Sequence, residues 1–150
     1  MSTFDPAAFA NIIVTDSNDT QRLPVPIGEY MGLVEKQEVR SWKKRDDPSI
    51  GGLALDVTWT VEDEAVKAAL GRDKVTVKQG IMLELTEQGG LAMGKGQNAD
   101  LGRLREAVGC NVAGQPFTFA HLVGRPAKIS IKHRLDGDNI FAEVKGVAKI

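Results

Sequence analysis

The sequence predicts a mainly β fold: a five-stranded barrel with one or two short helices, preceded by an N-terminal arm. Three observations carry this. Residues 53–61, LALDVTWTV, alternate without a break, so Leu53, Leu55, Val57, Trp59 and Val61 share one face and Trp59 belongs to the core. Residues 127–135, AKISIKHRL, and 140–148, IFAEVKGVA, alternate in the same way around Asp136-Gly137-Asp138-Asn139, a strong hairpin-turn signal. From Gly28 onward, helical patterns are confined to short stretches that end at a glycine.

In chain order, residues 4–14, FDPAAFANIIV, read as a short helix with Asp5 as cap and Pro6 in the first turn. Phe9, Ile12 and Ile13 form its apolar face, whose simplest role is to pack over the core. A polar connector, TDSNDTQRLPVP, follows, dividing the chain into an arm over 1–22 and a domain over 23–150. GEYMGLVEKQEVRSWKK is one long strand, bent or bulged near Gly32, with Lys36, Glu38, Arg40, Trp42 and Lys44 on one parity. DEAVKAAL is a short helix stopped by Gly71, and KVTVKQGIMLELT supplies one or two strands, with Val75 and Val77 opposed to Lys74, Thr76 and Lys78. Asn98 caps a helix through Val108, with Leu101, Leu104 and Val108 inward and Gly109 at its end. TFAHLV makes a helical turn closed by Gly124.

Placing Gly137-Asp138 at the hairpin turn pairs Leu135 with Ile140, Arg134 with Phe141, His133 with Ala142, Lys132 with Glu143 and Ile131 with Val144. The apolar side then carries Ile129, Ile131, His133, Leu135, Ile140, Ala142 and Val144. The other side carries Lys128, Ser130, Lys132, Arg134, Phe141, Glu143 and Lys145.

The chain has 150 residues, enough for one domain with a sizeable core, and its composition is that of an ordinary globular protein. No apolar run is long enough to cross a membrane and no signal peptide opens the sequence, and the lone Cys110 fits a reducing cytoplasm. The formal net charge of −1 does not point to a polyanion globally, but charge is sided. Residues 36–45 hold five cations, Lys36, Arg40, Lys43, Lys44 and Arg45, against Glu38 alone, and RSWKKR wraps them around a tryptophan. Three strand segments thus present basic outer faces, two of them with an aromatic, which suits a single nucleic-acid strand lying across a sheet. The competing reading is a plain solvated strand surface, with lysines discouraging edge pairing.

Motifs for chemistry are weak. Gly89 to Gly96, GGLAMGKG, approaches a phosphate-binding loop but has Gly96 where a Ser or Thr hydroxyl should hold magnesium. A connector, or a loop whose Lys95 touches a phosphate backbone, is the better reading. His121, His133 and Cys110 lack metal-ligand spacing, His133 reads as a satisfied core histidine, and no carboxylate pair is marked for acid–base work. The sequence therefore predicts no enzyme, no cofactor and no metal site.

Five strands with a helix between the third and fourth match the OB-fold barrel. VPIGEYMG at 25–32, ADLGRLREAVG at 99–109 and FAHLVGRPAKISIKHR at 119–134 resemble the small OB-fold single-stranded-DNA-binding proteins of tailed bacteriophages, a phage family of unknown-function domains. The resemblance spans the chain from Phe4 onward. It implies sequence-tolerant binding of single-stranded DNA in phage replication or recombination, in the cytoplasm of an infected bacterium. Replication or recombination proteins would be partners, and the arm a route to homo-oligomers. The chain ends EVKGVAKI, without the acidic tail through which many bacterial single-strand binders recruit partners, which puts that mode of recruitment in doubt. Under this reading Lys36, Arg40, Lys43, Lys44, Arg45, Lys74, Lys78, Lys128, Lys132 and Arg134 contact phosphates, while Trp42 and Phe141 stack on bases. The rival from another class is a phage virion or assembly protein that uses the same barrel as an interaction surface.

Overall fold

The computed structural model describes residues 5–18 and 23–150. Five strands, β1 (Gly28–Lys43), β2 (Gly51–Val61), β3 (Thr76–Met82), β4 (Pro126–Asp136) and β5 (Asn139–Ala148), close in a ring in the order β1-β2-β3-β5-β4. Helices are few and short: α1 (Pro6–Phe9), α2 (Glu64–Leu70), α3 (Ala99–Ala107) and a 3-10 turn over Phe119–Leu122. All neighbouring strands are antiparallel except β3 and β5, which are parallel. The mainly β expectation holds.

Closure depends on β1, which pairs with β4 through Gly28–Leu33 and with β2 from Gly32 to Lys43. Gly32 belongs to both ladders, and a Cβ there would lie 2.9 Å from Ile129 Cδ1 and 3.0 Å from Trp59 Cε3, so only glycine lets the strand bend over that ring. The bulge expected near Gly32 falls between Val34 and Lys36. It re-phases the strand: Val34 points inward before it, and Lys36 outward after it.

Inside the ring, Val34, Leu55, Val57, Trp59 and Val61 meet Val77, Ile81, Ile129, Ile131 and Val144. Trp59 is fully buried, as its parity predicts, and its Nε1 donates to Gln79 Oε1 at 2.9 Å, removing the cost of burying an indole N–H. α3 adds Leu101, Leu104 and Ala107 to this core. The segment before β1 is tied down by three side chains: Arg72 donates to the Leu23 carbonyl, His133 Nε2 to that of Val25 at 2.7 Å, and Tyr30 Oη to that of Pro26. His133 is thus half-buried and satisfied by a backbone carbonyl.

Several expectations need correction. Asp5 caps α1 as predicted, but the helix has only four residues, and Phe9 and Ile13 remain 68% and 89% exposed. The arm's apolar face does not pack over the core: amphipathic spacing shows that a face is apolar, not what covers it. Asn98 is not a side-chain cap. It adopts a left-handed conformation, φ 53° and ψ 38°, and its amide instead joins three backbone groups. The β4–β5 register is the one the alternation predicts, from Ile131 opposite Val144 to Asp136 opposite Asn139. Yet Leu135 is 73% exposed and Ile140 is also exposed, so the hairpin's apolar side is core only at its base. β3 reaches β5 at one position, Lys78 beside Glu143, so the hairpin tip projects past the region where another strand faces it.

Candidate nucleic-acid interface

The strand registers place a row of positions at right angles to the strands that runs around the ring through all five of them, with the buried Thr58 in its course. Lys36 on β1 lies opposite Thr58 on β2, Thr58 opposite Lys78 on β3, Lys78 beside Glu143 on β5, and Glu143 opposite Lys132 on β4. With strands about 4.8 Å apart, three lysines are spread across four strand steps. Lys36, Lys78 and Lys132 are exposed and have no ion-pair partner among the described residues. Glu143 is the acid in the row, and its carboxylate turns away from the facing Lys132 to pair with Arg134. The row therefore keeps its lysines unneutralised.

Two aromatics flank it at opposite ends of the strands. Toward the β4–β5 turn, Phe141 is 41% exposed and carries the Arg134 guanidinium over its ring at 4.8 Å, a cation–π contact that holds both in place. Toward the β1–β2 connection, Trp42 lies opposite Gly52. Its indole packs on that glycine, where a Cβ would come 3.3 Å from Nε1. Trp42 is half-buried, and its Nε1 is shielded with no hydrogen-bond partner. It is neither core like Trp59 nor a freely solvated strand end.

The remaining predicted phosphate contacts divide by their neighbours. Arg40 is held by Asp56 at 2.6 Å, Lys74 by Glu35, and Lys128 by Glu29 at 3.4 Å, so each has a carboxylate that a phosphate would have to displace. Arg134 supports Glu143 and Phe141 rather than standing free. Lys128 sits four residues along β4 from Lys132, off the row. Lys43, at the end of β1, and Lys44 and Arg45, in the β1–β2 loop, are exposed and unpaired among the described residues. That loop also holds Asp46 and Asp47, just past the basic window; Asp47 Oδ1 is engaged by Ser49 N–H at 3.2 Å and by its hydroxyl.

The glycine-rich connector is not built as a phosphate cradle. The Gly89 N–H donates to the Thr86 carbonyl, Gly90 N–H to Thr86 Oγ1 and Gly94 N–H to Gln97 Oε1, so these amides are consumed within the loop. Lys95 is exposed there. Of the groups weighed as ligands, His121 Nδ1 accepts the Thr118 N–H at 3.1 Å and His133 binds the Val25 carbonyl. Among the described residues no three His, Cys, Asp or Glu side chains converge as metal ligands. No helix among them is long and apolar enough to cross a membrane.

Sequence reasoning placed Lys145 on the outer face of the hairpin without making it a contact and missed Arg103; both line a cleft beside Lys132. That Arg103 of α3 comes beside Lys145 depends on packing between elements far apart in sequence. In comparison with known proteins, the chain matches no family model and no curated sequence.

Proposed function

We propose that this protein is a non-enzymatic, sequence-tolerant binder of single-stranded DNA with an OB-like architecture. The strand order β1-β2-β3-β5-β4, the parallel β3–β5 contact and the position of α3 between β3 and β4 support the OB-like reading. The observation that carries the function is the set of outward lysines around the ring, Lys36, Lys78 and Lys132, which have no ion-pair partner among the described residues, together with the partly exposed Trp42 and Phe141. Such a face neutralises phosphates along a backbone while aromatic rings stack on bases without choosing among them. The setting that fits is phage replication or recombination in the bacterial cytoplasm, with the proteins of those processes as partners. Fluorescence anisotropy with labelled oligo-dT at low and moderate salt tests the reading. A rise in anisotropy at micromolar protein that is lost in Lys36→Ala/Lys78→Ala/Lys132→Ala supports it; no binding by the parent chain at low salt refutes it.

One observation favours a second reading, an interaction protein of the phage particle or its assembly. The exposed Phe9 and Ile13 of the arm offer apolar surface to another protein chain, including a second copy. Sedimentation of the full chain against one lacking residues 1–18 separates the two: self-association through the arm without oligonucleotide binding selects this second reading.

A further inference from the structure

We infer that the cleft where β3 and β5 part is a second phosphate subsite for the same strand, formed by Lys132, Lys145 and Arg103. The inference rests on reading the lysine row as a nucleic-acid face. β3 and β5 are joined only at Lys78 and Glu143. Beyond that pair α3 packs against β5, leaving a cleft of about 410 Å³ whose lining includes Gly80, Arg103, Lys132, Lys145 and Gly146.

Lys145 follows the inward Val144 on the outer side of β5, in line with Phe141 and Glu143. Ile131 faces Val144 and Ser130 faces Gly146, so Lys145 is also the extra residue of a bulge beside the cleft. Lys132 belongs to both the row and the cleft, which makes the two continuous. Neither lysine has an ion-pair partner among the described residues, while Arg103 is held by Asp100 at 2.7 Å. Three cations therefore face Asp100, while Asp56, beside Gly80, is engaged by Arg40. The walls are low: a Cβ at Gly146 would meet nothing within 4 Å, and one at Gly80 only Asp56 Oδ1 at 3.7 Å. A phosphate can thus approach the backbone closely, and lysines serve it as point charges.

The test uses the full chain, oligo-dT of about 12 nucleotides, a length within OB-fold site sizes, and inorganic phosphate. Lys145→Ala/Arg103→Ala removes two phosphate contacts and flattens the slope of log affinity on log salt by about 1.4. Asp100→Asn frees Arg103 and tightens binding, a gain that misfolding would not produce. Phosphate alone shifts the Gly80 and Gly146 amide resonances of the parent and not those of the double variant. An unchanged slope together with absent phosphate shifts overturns the subsite. So do shifts produced by oligo-glutamate but not by phosphate or DNA, which would make the cleft a site for acidic peptides. If the parent binds no oligonucleotide, the nucleic-acid reading falls, and the phosphate shifts alone decide whether the cleft is an anion site.

Discussion

At the scale of single residues, the two tryptophans show how local surroundings separate core from surface. Trp59 has its N–H satisfied by Gln79 inside the ring, whereas Trp42 rests on Gly52 with its N–H shielded and unpartnered. Leaving such a group without a partner costs about 1–3 kcal/mol, so Trp42 is only weakly retained on its glycine. Moving onto a base would return the N–H to water. In a Trp59→Phe background, Trp42 emission should be quenched by oligo-dT; in a Trp42→Phe background the change should be small. Trp42→Ala should weaken binding by about 1–3 kcal/mol with a thermal midpoint close to the parent's. If Trp42→Ala instead unfolds the chain while the folded fraction keeps its affinity, Trp42 is structural and the stacking role is wrong. Gly52→Ala, whose new methyl would press on the indole, should shift free Trp42 emission to longer wavelength.

At the scale of elements, alternation was the legible signal and termination was not. The register of β4–β5 follows from where the polar and apolar residues fall around Gly137-Asp138, because a slip of one residue would turn Ile129 and Ile131 to water. That Leu135 and Ile140 would outrun the core was hidden, since their cover depends on strands far away in sequence. Asn98 is the clearest case of a right position with the wrong role. It precedes α3 as a cap should, but its Oδ1 accepts the Glu84 N–H at 2.8 Å, and its Nδ2 donates to the Glu84 and Ala92 carbonyls at 2.9 and 2.8 Å. It staples the chain after β3 to the start of α3. Asn98→Ala should therefore cost about 3 kcal/mol in chemical denaturation, more than the ~1 kcal/mol of a lost cap, by orphaning backbone groups and forcing alanine into the left-handed region. The segment before β1 depends partly on Tyr30, whose phenol is held above its ordinary 10.0 by burial and then by the nearby Asp63 charge. With the folded value raised, this contribution is complete below pH 10.0 and is lost as pH rises through the folded pKa. Thermal midpoints should fall in that alkaline window, and less so in Tyr30→Phe.

At the scale of the whole molecule, the proposed function requires a chain of net charge −1 to hold a polyanion. Its cations are sorted: Arg40, Lys74, Lys128 and Arg134 are neutralised locally by carboxylates, while Lys36, Lys78 and Lys132, around the ring, have no ion-pair partner among the described residues. The sequence showed each basic face but not this sorting, because pairs such as Lys74, just before β3, with Glu35 on β1 join parts far apart in sequence. Three phosphate contacts imply a salt slope near about −2 for the row alone, so binding should weaken markedly toward physiological salt. Arg134 gives the sharper test. If it contacts a phosphate, Arg134→Ala removes one contact and nothing restores it. If its work is to draw Glu143 away from Lys132 and Lys78, Arg134→Ala releases that carboxylate into the row, and binding falls by more than one contact. Adding Glu143→Gln should then restore most of the affinity, whereas it should not restore Lys132→Ala to the same degree. Titration of the three single and two double variants with oligo-dT at fixed low salt measures this coupling. Purely additive effects of Arg134→Ala and Glu143→Gln would make Arg134 a direct contact and remove its role as guard of the row.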